Sequence, residues 1–312
     1  MTVSATIEEL LDAEKELKAS GLALLSGLLD DEQEELRSRW AEIEAGRRRE
    51  ILGRLVELAD DNCELDFHAV YYTALADEDP TVRERAVNGL WESDDRRAIP
   101  KLTGRLHEDG DERVRAAAAT ALGHFAVLAA TGKLVERDVT RVFESLMESL
   151  GNEDEAVAVR RRALEAIGAF PAPDVDEWVR WGYEADQPEL RQSALHAMGR
   201  SGQQTWLPII YREMQSGDPA MRYEAANAAR EMGEAEAVPF LAELIDDTDV
   251  EVALASVLAV GMIGGAKAKK ILRGVAAAGE DDVIREAATE ALRLLETGDD
   301  DFRAFKAKDQ LG

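Results

Sequence analysis

Basic residues, aromatic residues and cysteine are all scarce in this chain of 312 residues. Lysine and arginine together number 37 against 64 aspartates and glutamates, so the formal net charge is −27. A field of that sign repels nucleic acid and anionic membrane surfaces. Aromatic residues make up 5% of the chain, so the core must consist mainly of Ala, Leu, Val and Ile. Cys63 is the single cysteine, which excludes an intrachain disulfide and a cysteine-based zinc site.

Long apolar runs are absent as well. The stretch GLALLSGLL has nine residues, too few to cross a bilayer. The first twenty residues carry acidic side chains where a signal peptide needs basic ones. We therefore expect a cytoplasmic protein with no membrane partner.

A short pattern recurs along the chain, as in DPTVRERAVNGLW and DERVRAAAATALG. Six of the seven intervals between successive copies are 31 or 32 residues and the other is 45, which indicates a repeat protein with one insertion. The first apolar residue of each copy is Val82, Val114, Val159, Leu190, Met221, Val252 and Ile284, with a weaker copy at Ile51.

Each repeat is predicted to contain two helices, of which the recurring pattern is the second. Apolar residues at positions 1, 5, 8 and 9 of the pattern form a helical stripe. An aspartate three residues before position 1 is placed to cap the helix, and a proline often follows it at the first helical position. A glycine near the pattern's end predicts a left-handed helix terminus. The aspartates are Asp79, Asp111, Asp218, Asp249 and Asp281; the prolines are Pro80, Pro188 and Pro219; the glycines are Gly123, Gly168, Gly199 and Gly261.

The Asp-Pro-x-x-Arg and Ala-x-x-Ala-Leu-Gly patterns resemble HEAT repeats, in the short form of phycobilin-lyase-like proteins. The resemblance covers about Arg47 to Leu295. It implies an all-α, right-handed α-solenoid of about eight helical hairpins, with the second helices on the concave side. We predict an N-terminal helical cap at 1–45, a solenoid at 46–296 with an insertion near 126–136, and a frayed, charged tail at 297–312, in which Phe302 and Phe305 either dock back or bind something.

The resemblance also suggests a role for the arginine at position 2 of the pattern. It would bridge to a cap aspartate of the neighbouring repeat and so form a stabilising ladder. Leu52 and Ala253 interrupt this ladder. The arginines are Arg83, Arg115, Arg160, Arg191, Arg222 and Arg285.

Sequence motifs of enzymes are missing from the chain. There is no G-x-S-x-G, P-loop, dinucleotide fingerprint or H-E-x-x-H motif. Deoxyhypusine hydroxylase, a HEAT-repeat enzyme, holds two irons through repeated His-Glu pairs, but only His107-Glu108 occurs here. We predict no catalytic, cofactor-binding or metal-binding residue. Trp178, Trp181 and Trp206 form either a packed seam or an exposed aromatic strip.

Positions 3, 7 and 11 of each second helix should point away from the core, because they lie four residues apart on one face. Together with an apolar row at Leu254, Leu258 and Met262, they suit a protein or peptide ligand; alternatively, they are plain solvated surface. The predicted binding residues on the concave face are Arg161, Glu165, Gln192, His196, Arg200, Tyr223, Asn227 and Glu231.

Two functions follow from these observations. The first is a non-enzymatic scaffold that binds a protein or peptide along the concave face, without nucleic acid or cofactor. The alternative, which the resemblance implies, is a bilin-lyase-like protein that handles a chromophore, or another HEAT-repeat enzyme.

Overall fold

The computed structural model describes residues 2–279 and 281–309, with side chains as far as residue 297. All regular structure in these residues is helical, which confirms the predicted all-α solenoid of stacked hairpins. The chain divides into two compact units, Met1–Phe170 and Pro171–Gly312.

Unit 1 contains ten α-helices and two short 3₁₀ turns, Ala23–Leu25 and Trp40–Glu42, within the described residues. Its helices are α1 (Val3–Leu11), α2 (Ala19–Leu22), α3 (Asp30–Arg39), α4 (Ala45–Asp61), α5 (His68–Ala74), α6 (Pro80–Asn88), α7 (Ala98–Glu108), α8 (Glu112–Ala130), α9 (Glu136–Gly151) and α10 (Val157–Ile167).

Unit 2 contains eight α-helices and two 3₁₀ turns, Gln204–Trp206 and Ala235–Ala237, within the described residues. Its helices are α11 (Pro173–Glu184), α12 (Pro188–Ser201), α13 (Leu207–Glu213), α14 (Pro219–Met232), α15 (Val238–Leu244), α16 (Val250–Ile263), α17 (Gly265–Ala278) and α18 (Asp282–Asp309).

Helical hairpins stack side by side in both units. The odd-numbered helix of each hairpin packs on the even-numbered helix that follows it, from α5 with α6 to α17 with α18. The even-numbered helices also pack on one another, as a row from α4 to α10 in unit 1 and a row from α12 to α18 in unit 2. We call these even-numbered helices the second helices, because they carry the recurring pattern.

The helix starts follow the sequence closely. Side chains of the predicted cap aspartates accept hydrogen bonds from backbone amides of the first turn, at 2.8 Å from Thr81 to Asp79 and 2.9 Å from Arg113 to Asp111. Asp218, Asp249 and Asp281 do the same. Pro80, Pro188 and Pro219 occupy the first helical position, where a missing N–H leaves no intrahelical bond unmade.

The predicted role of the pattern glycines is wrong. Gly123, Gly199 and Gly261 lie inside their helices, and Gly168 has a negative φ of −54°. At the ends of α12, α14 and α16, the glycines with positive φ are instead Gly202, Gly233 and Gly264, with φ of 63°, 69° and 71°.

The interior glycines allow neighbouring second helices to approach closely. A Cβ added to Gly199 would lie 2.6 Å from the Cα of Ala228, and one added to Gly261 would lie 2.9 Å from the Cβ of Ala291. Since real Cβ atoms do not approach other atoms this closely, the small residues at these positions set the helix separation.

The arginine ladder forms at Arg83, Arg115 and Arg222, with partners that differ from the prediction, whereas Arg191 donates to the carbonyls of Ala185 and Asp186 before its own helix. Arg83 and Arg222 each hold a carboxylate of the next repeat by two hydrogen bonds, to Asp109 at 2.7 Å and to Asp247 at 2.6 and 2.7 Å. These aspartates lie two residues before the cap aspartates. Each also accepts the amide of the cap residue, so it fixes the turn that leads into the helix.

Arg115 and Arg48 extend the ladder. Arg115 binds Glu155 at 2.8 and 3.0 Å. At the weak first repeat, where Leu52 interrupts the pattern, the nearby Arg48 donates to Asp77 at 2.6 Å. The Trp40 Nε1–H donates to the same buried carboxylate at 2.7 Å.

The segments outside the repeats differ in part from expectation. The helix α3 ends at Arg39 and leads into the turn Trp40–Glu42, and Leu36, Trp40 and Ile43 are all buried. The insertion near 126–136 lengthens α8 to Ala130, and the chain then turns at Gly132 with φ 72°. The backbone is helical to Asp309 rather than frayed from 297. The side chains of Phe302 and Phe305 lie outside the described residues.

Candidate functional site

The exposed face of the second helices in unit 2 forms a continuous strip. Residues at positions 1, 5, 8 and 9 of α12, α14 and α16 are buried, whereas those at positions 3, 7 and 11 of these helices and of α18 are not. We call the latter set the unit 2 strip. It consists of Gln192, His196, Arg200, Tyr223, Asn227, Glu231, Leu254, Leu258, Met262, Glu286, Glu290 and Leu294.

The centre of the unit 2 strip is apolar. Met262 and Leu258 on α16 have exposed fractions of 71% and 48%. They are flanked by Leu294 on α18, at 56%, and by Tyr223 on α14, at 37%. Single exposed apolar side chains are ordinary, but a group on consecutive packed helices is typical of a binding surface.

The ends of the unit 2 strip are polar and of opposite character. His196 and Arg200 lie on α12 at one end, and Glu286 and Glu290 lie on α18 at the other. Glu290 pairs with Arg293 one turn later on α18, where the guanidinium donates at 2.6 and 2.8 Å. This ion pair holds the pKa of Glu290 below its usual range. The strip thus offers an apolar centre between a basic edge and an acidic edge.

Two predicted binding residues lie in unit 1 rather than on the unit 2 strip. Arg161 and Glu165 are neighbours on α10 and face each other at 3.5 Å, and Arg162 also donates to Glu165 at 2.7 Å. On α8 the corresponding positions are Ala116 and Thr120, which are small. The other six predicted residues are brought together on α12 and α14.

The tryptophans in unit 2 pack as a seam. Trp206 is buried, and the guanidinium of Arg180 lies 4.8 Å from the centre of its ring. Trp178 and Trp181 are half-buried and meet edge to face with ring centres 5.2 Å apart.

A hydrogen-bonded chain in unit 1 was not predicted. His68, the first residue of α5, is hydrogen-bonded through Nδ1 to Asp66, and its Nε2 lies 2.5 Å from the Oγ of Ser93. The carboxylate of Asp66 can only accept a proton, so it places the ring proton on Nδ1 and leaves Nε2 to accept from the serine hydroxyl. Because 25 residues separate Ser93 from His68, no local motif marks this arrangement.

His68 and Ser93 line a cleft of about 280 Å³, and Tyr71 and Trp91 also line it. Burial alone would raise the pKa of Asp66, but hydrogen bonds from the amide and the ring of His68 outweigh it and lower the pKa. The hydroxyl of Tyr71 is buried without a hydrogen-bond partner, and burial raises its pKa. Trp91 is exposed at the rim.

Among the described residues, no three or more His, Cys, Asp or Glu side chains meet in a way that could hold a metal ion. His107 instead lies 3.9 Å from Glu148 across a groove between α7 and α9. None of the helices within the described part of the chain is both long and apolar enough to cross a membrane.

Comparison with known proteins identifies the repeats. The family model described as HEAT repeats matches residues 69–157 and 207–293, which together exceed half of the chain. Mouse deoxyhypusine hydroxylase is 27% identical over 122 residues, which cover 38% of this chain and 40% of that protein. The match therefore spans less than half the length of that relative.

Two solved structures align with most of the chain. The complex of CpcE and CpcF of phycocyanin lyase from Nostoc is 17% identical, with a TM-score of 0.48 and 95% of each chain covered. Human deoxyhypusine hydroxylase in complex with glycerol is 18% identical, with a TM-score of 0.37. The alignment covers 95% of this chain and 96% of that chain.

Proposed function

The chain belongs to the HEAT-repeat family, and on this premise we propose that it is a scaffold that binds a segment of another protein on the unit 2 strip. The segment lies across α12, α14, α16 and α18. Its apolar side chains contact Leu258, Met262 and Leu294, and its polar side chains face the two edges of the strip. Gln192, His196, Arg200, Tyr223, Asn227 and Glu231 form the half of this surface that lies on α12 and α14.

One observation carries this proposal: Leu258 and Met262 are exposed at positions 7 and 11 of α16, where α12 and α14 carry polar residues. Nothing in the packing of α16 requires leucine and methionine at positions 7 and 11, because those positions face away from the core. Apolar side chains at such positions decrease solubility. A partner that covers them recovers about 1.5–3 kcal/mol for each side chain that becomes fully buried.

A peptide selection tests the proposal. Peptides from a random library are selected on the immobilised protein, and their affinities are measured by calorimetry for the parent chain and for Leu258→Asp with Met262→Asp. We expect the double variant to weaken binding at least about tenfold, since each 1.4 kcal/mol of lost burial is a factor of ten. The control is Val135→Asp, an equally exposed position in unit 1, which should change affinity less than about twofold. Equal affinities for all three chains would refute the strip as the binding site.

A second function has one specific observation in its favour, the chain from Asp66 through His68 to Ser93. A serine hydroxyl, an imidazole and a carboxylate in this order are the groups that catalyse acyl transfer. The Ser93 oxygen would attack an ester carbonyl carbon while its proton moves to His68 Nε2. That proton then passes to the departing alcohol, and water, activated by the same nitrogen, releases the acid. The buried hydroxyl of Tyr71 is the nearby donor that lacks a partner.

Labelling with a fluorophosphonate probe tests this second function. The probe should react with Ser93, Ser93→Ala should abolish the labelling, and His68→Gln should slow it by at least about a hundredfold. Ser38→Ala, which removes an exposed hydroxyl on α3, is the control and should leave the labelling unchanged. Absence of labelling in the parent chain would remove the acyl-transfer hypothesis. An absorbance titration with free bilin separately tests the chromophore-handling alternative.

A further inference from the structure

The ladder arginines share a second contact, made within their own repeat. In five repeats the Nη1 of the arginine donates to the backbone carbonyl six residues earlier, at 2.8–3.0 Å. These pairs are Arg83 with Asp77, Arg115 with Asp109, Arg191 with Ala185, Arg222 with Ser216, and Arg285 with Gly279. The arginine therefore fills a fixed place beside the turn that joins the two helices of a hairpin.

The repeat of α16 has lost both halves of this arrangement. Ala253 stands at the arginine position and is buried. Gly279 stands two residues before the cap residue Asp281, where Asp109 and Asp247 supply the carboxylate in other repeats. The guanidinium and the carboxylate that would receive it are thus both missing at the same step of the ladder.

A cleft of about 670 Å³, which we call the Ala253 cleft, lies at this step of the ladder. Its lining includes Asp246, Asp247, Ala253, Val275, Asp281 and Ile284. The methyl and methylene groups of Ala253, Val275 and Ile284 form an apolar wall. This wall is of the kind against which the three methylenes of an arginine pack.

The remaining polar groups of the Ala253 cleft favour a cation. The carbonyl of Asp247 lies six residues before Ala253, the place from which the other repeats bind Nη1. The carboxylate of Asp247 is already held by Arg222, and that of Asp281 caps α18. Asp246 adds a third carboxylate to the lining. The guanidinium of Arg222 balances the charge of Asp247, and that of Arg285 donates to the lining carbonyl of Gly279, so the negative charge offered to a further cation comes from Asp246 and Asp281.

We propose that the Ala253 cleft binds the side chain of an arginine from a partner protein, in the place that the repeat's own arginine occupies elsewhere in the ladder. The arginine guanidinium donates to the carbonyl of Asp247 and to the surrounding carboxylates, while its methylenes cover the apolar wall. The source of the arginine rests on the proposed scaffold function, but the cleft itself can be tested without the partner.

Methyl NMR with a small probe tests the Ala253 cleft directly. The protein, labelled at alanine, valine and isoleucine methyl groups, is titrated with N-acetyl-arginine amide. We expect saturable shifts at Ala253, Val275 and Ile284 with millimolar affinity, weakened by added salt. N-acetyl-norleucine amide, which has the same apolar stem without the charge, should bind at least about fivefold more weakly.

Variants supply the matched controls. Ala253→Arg should fill the cleft from within the chain and abolish the shifts at Val275 and Ile284, and Ala253→Met should also block them without adding charge. Ala277→Arg, which places the same charge on the exposed face of α17 outside the cleft, should preserve probe binding. Circular dichroism confirms that each variant is folded.

Three results would overturn the inference: no saturable shift in the parent chain, equal binding of the norleucine probe, or undiminished binding by folded Ala253→Met. Because the probe does not touch Leu258 or Met262, failure here leaves the strip hypothesis standing. Conversely, loss of peptide binding by the strip variants does not decide whether the Ala253 cleft is occupied.

Discussion

At the scale of single residues, the smallest residues lie at the closest contacts between the helices of this fold. Gly199 and Gly261 lie where second helices come closest, and alanines of the next helix face them. Ladder arginines meanwhile connect successive repeats through paired hydrogen bonds. Small residues therefore determine how closely the hairpins stack, and charged residues fix the turns between them.

Replacing Gly199 by alanine should destabilise the protein. The new Cβ would lie 2.6 Å from the Cα of Ala228, so the two helices must move apart. We expect a loss of about 1–3 kcal/mol in the free energy of unfolding, measured by urea denaturation. Gly274→Ala in α17 is the control, because nothing lies within 4 Å of its added Cβ. If Gly199→Ala is as stable as Gly274→Ala, this result contradicts the close approach of α12 to α14.

Asp247→Asn should destabilise the protein in a pH-dependent manner. Hydrogen bonds from Arg222 lower the pKa of Asp247 more than its partial burial raises it. A lowered pKa means that the carboxylate stabilises the folded state above the unfolded pKa of about 3.9, and that this stability is lost as the pH falls through the folded pKa. The variant should lose about 1.5–3 kcal/mol at pH 7.

The pH series provides the check on Asp247. The difference in unfolding free energy between the parent chain and Asp247→Asn should shrink progressively below pH 4. Glu290→Gln, which removes an exposed pair with Arg293, should change the free energy of unfolding at pH 7 much less than Asp247→Asn does. A difference for Asp247→Asn that stays constant from pH 7 to pH 2 would contradict the ion pair.

At the scale of helices, local chemistry decides where each element begins. Asp249 caps α16 by accepting the amides of Glu251 and Val252 at 3.0 and 3.4 Å. The same arrangement recurs at α6, α8, α14 and α18. These five second helices therefore start at a defined residue, which sets the register of positions 3, 7 and 11.

Asp249→Ala should destabilise the first turn of α16. Loss of an aspartate cap costs about 0.5–2 kcal/mol, so the melting temperature measured by circular dichroism should fall by a few degrees. Asp249→Ser retains a side-chain acceptor and should recover most of the loss. A serine variant as unstable as the alanine variant would show that capping is not the role of Asp249.

The sequence predicted those features that depend on neighbours along the chain. Cap aspartates, first-turn prolines and the exposed positions of second helices follow from local spacing. Gly199 was misassigned because a glycine serves equally at a helix end and at a close approach, and Ala228, which decides between them, belongs to another helix. The carboxylate that binds each ladder arginine was predicted two residues too late in the sequence, because it also belongs to another repeat. Ser93 was missed because folding alone brings it to His68.

At the scale of the whole molecule, two units of one repeat family differ in what they expose. The second helices of unit 1 present small or internally paired residues such as Thr120 and Arg161. Those of unit 2 present the apolar centre of the strip and enclose the Ala253 cleft. This difference is the reason why we propose unit 2 for the partner-binding surface.

Arg200→Glu with Tyr223→Ala should weaken the binding of a selected peptide that reaches the basic edge of the strip. The first change reverses the charge of that edge, and the second removes an aromatic contact of the kind that often dominates interfaces. Calorimetry should show a loss of at least about tenfold in affinity. Arg161→Glu in unit 1 is the comparison, and an equal loss there would show that the peptide is not confined to unit 2.

Photo-crosslinking from the strip in cells of the source organism tests the binding surface most directly. A photoreactive phenylalanine derivative is placed at Met262 in one chain and at Val135 of unit 1 in another. We predict that the derivative at 262 captures a defined protein, that the derivative at 135 does not, and that Leu258→Asp abolishes the capture. No captured protein at 262, or the same proteins at both positions, would contradict a scaffold that binds its partner on the unit 2 strip.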